Sequence, residues 1–149
     1  MNKAELQNSA SLLPCVSEEA IADYKSKSTM LVGHLNEILL SSTSIENLIG
    51  SDNIDLMKTN HENHATFMAS IFENPNAEIL VNTILWVFKV YRNRGFSPLY
   101  WQEQLQGWIT VIEKYIDTEY QSSIIEHYKW MLNHVESFTE LSNLEVKIE

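Results

Sequence analysis

The sequence lacks the short motifs that identify a reaction. No nucleophile elbow, phosphate-binding loop, zinc-ribbon spacing or kinase signature occurs among its 149 residues. Catalytic groups can also converge from distant positions in a chain, so this absence is weak evidence against an enzyme. We expect a non-catalytic function that depends on a binding site.

The sequence is also poor in cysteine, long apolar runs and positive charge. Its one cysteine, Cys15, permits no intrachain disulfide, which fits a reducing cytoplasm. The longest apolar run, ILVNTILWVF, has 10 residues, well below the ~20 that span a bilayer, and the N-terminus has no secretory-signal pattern. Ten basic and 20 acidic residues give a net charge of −10, which repels phosphate backbones and anionic lipids. We therefore expect a cytoplasmic protein that binds neither nucleic acid nor membranes.

The hydrophobic pattern predicts five helices and no strand. The helices are predicted to begin after the capping residues Ser17, Asp52, Asn76, Ser97 and Thr118, and to end near residues 40, 73, 93, 117 and 140. Residues 1–16 show no such period and are interpreted as a partly ordered leader. The predicted fold is an all-α, single-domain bundle of about five helices over residues 17–149.

The third predicted helix, over residues 77–93, is expected to be the central one. It is apolar nearly all round, which is typical of a buried helix. This pattern predicts that Trp86 lies in the core, where its replacement by alanine would cost about 3 to 5 kcal/mol.

Histidine is the most informative residue type for function. His61 and His64 alternate with Met57 and Met68 at spacings of three and four, so both are predicted to face inward. The last predicted helix places His127 and His134 on a second apolar stripe in the same way, and His34 lies beside a third. Each histidine could be a core residue with one hydrogen bond to a neighbouring helix. Alternatively, His61 and His64, one turn apart, could hold a metal, a haem or another ligand.

The known metal-binding bundles do not match these spacings. Di-iron bundles use a Glu-x-x-His pair, and the chain contains none. The three histidine spacings of haemerythrin-like bundles are also absent from the sequence. The identity of any cofactor is therefore left open, with none, a haem or a transition metal as the alternatives.

A second candidate site is the joint between the third and fourth predicted helices. Lys89, Arg92 and Arg94 precede Gly95 there, and Ser97 starts the next helix, whose free N–H groups favour an anion. The same cations could instead only stabilise the end of the preceding helix. The candidate ligand-binding residues are His61, His64, Trp86, Arg92, Arg94, Trp101, His127 and His134, of which His61 and His64 are also the candidate metal ligands.

Aromatic residues are concentrated between residues 86 and 138, where all four tryptophans lie. Each aromatic side chain buries a large area, so this segment must pack against the rest of the chain or against a partner. The predicted fourth and fifth helices carry Tyr100, Trp101, Tyr128 and Trp130, more aromatic surface than one core of this size obviously needs. This surplus predicts a ligand site or an interface.

The segments LVNTILWVFKVYRNRGFSPLYWQEQLQGWITVIEKYI and IIEHYKWMLNHVESF resemble the compact helical sensory modules of bacterial signalling proteins, including globin-like domains without haem. The resemblance is one of helix order, size and aromatic density over about residues 17 to 141. It implies a non-catalytic regulatory domain that binds a small ligand or a protein partner, as a homodimer or with a separate signalling protein. A metal- or haem-binding bundle with a redox or oxygen-related role is the alternative.

Overall fold

The computed structural model describes the backbone of residues 1–148 and the side chains of residues 1–143. This part of the chain contains eight α-helices and no strand. The helices are α1 (Lys3–Ala10), α2 (Glu18–Leu40), α3 (Ile45–Ile49), α4 (Ile54–Glu73), α5 (Ala77–Asn93), α6 (Pro98–Tyr115), α7 (Gln121–Asn133) and α8 (Val135–Ile148), with a 3-10 turn at Thr118–Tyr120. The all-α class is confirmed, whereas the count of about five helices is wrong. None of the described helices is long and apolar enough to cross a membrane.

The long helices begin close to where the capping residues place them. The side chains of Ser17, Asn76 and Ser97 accept hydrogen bonds from the first turns of α2, α5 and α6. The start of α4 differs by one position, since Asn53 precedes it and Asp52 takes a left-handed conformation with φ of 60°. The amide of Asn53 donates instead to the carbonyls of Ile49 and Arg94, which fixes α4 beside the end of α5.

Helix α1 lies within the segment that the sequence predicts to be a partly ordered leader. Asn2 and Glu5 form a reciprocal capping box at its start, and Leu6 is fully buried where α1 packs on α5. The helix is short and buries only Leu6 and Ala10, so it leaves little periodic signal in the sequence. The division of the chain into a leader and a bundle domain stays a prediction.

The last predicted helix is two helices. Thr118 does not cap this helix as predicted, because it begins the 3-10 turn. The Gln121 amide donates to carbonyls of Glu113 and Ile116. These bonds satisfy carbonyls at the end of α6. His134 then separates α7 from α8, so the chain bends where the sequence predicts a continuous helix.

The central helix is α6 rather than α5. Helix α6 packs against α2, α3, α7 and α8, and its Tyr100, Trp108 and Ile112 are fully buried. Gly107 lets α2 approach, since a Cβ at this position would lie 2.6 Å from Leu35 Cδ1. Helix α5 packs at the edge of the bundle, against α1 and α8. The predicted core position of Trp86 is therefore wrong, because 61% of its surface is exposed.

Candidate ligand-binding cavity

A cavity of about 280 Å³ lies between α4 and α5. Within the described chain these two helices are not closely packed against each other, although both border the same space. Helix α6 forms the inner wall with Trp101, Gln104 and Leu105, and Met131 of α7 and Phe138 of α8 complete it. The apolar faces of five helices thus leave room for a ligand.

The cavity has one polar end, where Asn60 and Gln104 are almost fully buried. Gln104 Nε2 donates to Asn60 Oδ1 over 3.2 Å, and the same oxygen accepts from the Tyr100 hydroxyl over 2.7 Å. Tyr91 and Arg94 line the cavity from the end of α5. Burial raises the pKa of the Tyr91 phenol, while Asn60 and then the positive charge of Arg94 oppose that rise. The polar end therefore presents neutral groups and one cation.

His61 is fully buried beside this end but does not line the cavity. Its Nδ1 lies 2.6 Å from Asn36 Oδ1 on α2, and its Nε2 lies 2.9 Å from the Tyr100 hydroxyl on α6. Burial lowers the pKa of His61 to about 3, so the ring is neutral at pH 7. Because both nitrogens have protein partners, His61 serves to join α4 to α2 and α6.

His64 lies one turn further along α4 and does line the cavity. Its Nε2 lies 2.9 Å from the Tyr128 hydroxyl, which in turn lies 2.7 Å from the Tyr24 hydroxyl. Burial, and then the proximity of His61, lower the pKa of His64 to about 3. Among the described side chains, Nδ1 of His64 has no hydrogen-bond partner. The ring is half-buried, so this nitrogen remains available.

The structure brings four of the eight candidate ligand-binding residues to one cavity. Trp86 stands at its mouth, Arg94 at its polar end, Trp101 in its inner wall and His64 along α4. Whether these residues bind a ligand stays a prediction.

The other four candidates lie outside the cavity lining. His61 forms the contacts described above, and Arg92 donates to the hydroxyl of Ser142 over 2.9 Å and to its carbonyl over 3.1 Å. These bonds tie α5 to α8. A common anion site of Arg92 and Arg94 stays a prediction. His127 and His134 each place Nδ1 beside the backbone carbonyl four residues earlier, at 2.8 and 2.6 Å. His127 is thus held within α7, and His134 is held at the end of α7.

The proposed metal pair receives little geometric support. No group of three or more His, Cys, Asp or Glu residues within the described chain is arranged to hold a metal ion. His61 has both nitrogens engaged in hydrogen bonds. Helix α5, which forms the opposite wall of the cavity, contains no histidine. A metal at His61 and His64 therefore stays a prediction.

The surplus of aromatic surface expected on the last helices is absent from the structure of the described residues. Tyr100 and Tyr128 are fully buried, and Trp101 and Trp130 are nearly so. Stacked and edge-on ring contacts, such as Phe88 on Trp101 at 4.5 Å, account for the aromatic density. These rings build the core, and the exposed aromatic side chain at the cavity is Trp86.

Gln104, Tyr128 and Tyr24 are the site residues that sequence reasoning missed. Gln104 lies between Trp101 and Trp108 at spacings of three and four, so its place on the buried stripe of α6 is visible in the sequence. Tyr24 and Tyr128 are 104 residues apart. Their pairing depends on how α2 and α7 pack, and no local pattern in the sequence could have shown it.

Comparison with known proteins finds no match to this chain among protein-family models, curated proteins or solved structures. The resemblance to helical sensory modules stays a prediction that depends on the sequence pattern.

Proposed function

We propose that this protein is a non-catalytic sensory or regulatory domain that binds a small, mainly apolar ligand between α4 and α5. The observation that carries this proposal is the cavity itself, which combines apolar walls, a buried polar end and an exposed tryptophan at its mouth. Ligand sites in proteins are typically apolar hollows with a few placed polar groups. The side chains of Asn60, His64 and Gln104 supply such groups.

The volume sets the size of the ligand. A cavity of about 150 Å³ is large enough to bind benzene, and the cavity here measures about 280 Å³. By this scaling, the ligand has on the order of a dozen non-hydrogen atoms. We therefore expect a compact molecule with an apolar body and one or two polar groups.

The chemistry of the lining supports binding rather than catalysis. Among the described residues, those lining the cavity include no carboxylate, cysteine or serine. Its imidazole, His64, is kept neutral by burial, and the Tyr128 phenol is the only nucleophile of the described chain within hydrogen-bond distance of it. The metal- or haem-binding alternative has less support, because one of its two histidines lies outside the cavity lining.

A regulatory role also requires a surface that passes the binding signal to a partner, and we propose that this surface is on α5. Trp86 and Ile79 of this helix are at least half exposed, and Trp86 also borders the cavity. A bound ligand would contact the same helix that presents these side chains. We propose that α5 meets a second copy of the chain or a separate signalling protein in the cytoplasm. Light scattering after size-exclusion chromatography, with and without ligand, tests for the second copy.

The binding proposal is tested with tetralin, a bicyclic hydrocarbon of about the expected size. We expect saturable binding, measured by calorimetry and by the change in tryptophan fluorescence. Thr83→Phe places a ring in the cavity wall and is expected to abolish binding. Thr110→Phe makes the same change on the exposed side of α6 and should leave binding intact. Equal affinity of both variants, or no binding by the natural sequence, would overturn the proposal.

A further inference from the structure

We propose that His64 is a hydrogen-bond donor of the cavity, through Nδ1–H, and that it selects ligands carrying an acceptor oxygen beside an apolar body. The ligand part of this inference rests on the proposed binding function. The position of the proton on His64 follows from the hydrogen bonds of the protein alone and is testable without a ligand.

Tyr24, at the start of this hydrogen-bonded chain, is fully buried. The only hydrogen-bond partner of its hydroxyl among the described residues is the Tyr128 hydroxyl, 2.7 Å away. A buried hydroxyl with no acceptor for its proton is costly. Tyr24 must therefore donate its proton to the oxygen of Tyr128.

This first bond sets the direction of the next one. Each phenol has one proton to give. Since Tyr128 accepts from Tyr24, its own proton is free to go to His64 Nε2, 2.9 Å away. Nε2 is then an acceptor and carries no proton. The reverse direction, with His64 donating to Tyr128 and Tyr128 to Tyr24, would leave the proton of Tyr24 without an acceptor.

The neutral imidazole must then carry its single proton on Nδ1. His64 is neutral at pH 7 because burial depresses its pKa. The two tyrosines, on α2 and α7, thus fix the tautomer of a residue on α4.

The free Nδ1–H distinguishes His64 from His127 and His134. His127 and His134 each place Nδ1 beside the backbone carbonyl four residues earlier, at 2.8 and 2.6 Å. His64 makes no such bond within the described chain, and its half-buried ring forms part of the cavity wall. A ligand with an oxygen at this point would satisfy a donor that the protein leaves open.

The tautomer is tested first, by nitrogen NMR of histidine-labelled protein, with the His64 signals assigned from the spectrum of His64→Leu. We expect the proton on Nδ1 of His64 in the natural sequence. Tyr128→Phe removes the donor to Nε2, so the Nε2–H form should gain population. A natural protein with the proton on Nε2 of His64 would overturn the inference, whatever the ligand.

Selection is tested by comparing tetralin with α-tetralone, its ketone. His64→Leu should weaken α-tetralone binding about tenfold more than tetralin binding, as expected for the loss of one buried hydrogen bond. His127→Leu changes a buried histidine outside the cavity lining and should leave the ratio of the two affinities unchanged. Binding of both probes with equal losses in His64→Leu would overturn the role of His64 and leave the binding function standing. No binding of either probe to the natural protein would overturn both.

Discussion

The two sides of α4 show how one helix serves both stability and binding. One side is packed against α2, and His61 there has protein partners at both nitrogens. The other side faces α5 across a cavity, and among the described residues His64 there has a partner at only one nitrogen. The two histidines are three residues apart and equally depressed in pKa. The two histidines differ in the hydrogen-bond partners that the neighbouring helices provide.

Burial alone does not identify a site residue. Both rings are neutral, but only an unsatisfied donor or acceptor is able to recognise a ligand. We assign His61 to the fold and His64 to the cavity on that basis.

The largest effect is expected in the packed core. Trp108 is fully buried between Tyr24, His64 and Tyr128. Trp108→Ala should lower the free energy of unfolding by about 3 to 5 kcal/mol, measured by urea denaturation. Trp108→Phe is the control, since it keeps an aromatic ring and removes an indole N–H that has no partner among the described residues. A loss below about 1 kcal/mol for the alanine variant would contradict the central place of α6.

Acid should destabilise the protein through both histidines of α4. Their pKa falls from 6.5 in the unfolded chain to about 3 in the folded protein, so between these values the unfolded state binds more protons. The contribution of these two histidines to stability is therefore fully present above pH 6.5 and is lost as the pH falls, by up to about 1.4 kcal/mol per unit for each histidine. Urea denaturation across this range measures the slope. His61→Leu should reduce it, and an unchanged slope would contradict the burial of His61.

A smaller cost is expected from removing His61 at neutral pH. His61→Leu leaves Asn36 and the Tyr100 hydroxyl each without one partner, and Tyr100 is fully buried. The free energy of unfolding should fall by about 1 to 2 kcal/mol. Affinity for tetralin should stay unchanged, because His61 is not part of the cavity wall. A stabilised variant would show that these hydrogen bonds make no net contribution to the free energy of unfolding.

The smallest effect is expected at the mouth of the cavity. Trp86 is 61% exposed, so Trp86→Ala should change the free energy of unfolding by less than about 1 kcal/mol. This value replaces the larger cost that the sequence pattern predicts. A loss of several kcal/mol would contradict the exposed position of Trp86 and indicate that α5 lies at the centre of the bundle.

Local signals in the sequence predicted the long helices well. Ser17, Asn76 and Ser97 act on backbone groups within a few residues, so their capping roles can be read without knowing the fold. The prediction that α5 is the central helix is wrong because an apolar residue looks the same in sequence whether it faces protein, a cavity or solvent. Trp86 shows this ambiguity directly.

The site was only partly predictable for a related reason. The stripe on α4 correctly indicated that His61 and His64 point inward. Their separate roles depend on Asn36, Tyr100 and Tyr128, which lie on three other helices. Such partners are set by tertiary packing, which the spacing of residues along one helix does not contain.

The most direct test of the cavity as a ligand site is methyl NMR of methionine-labelled protein during titration with tetralin. Met68 and Met131 line the cavity, whereas Met57 is fully buried on α4 outside the lining and Met30 is exposed on α2. We predict saturable shifts of the Met68 and Met131 methyl signals, with Met57 and Met30 nearly unchanged. Shifts of equal size at all four methyls, or none at Met68 and Met131, would contradict a ligand site between α4 and α5.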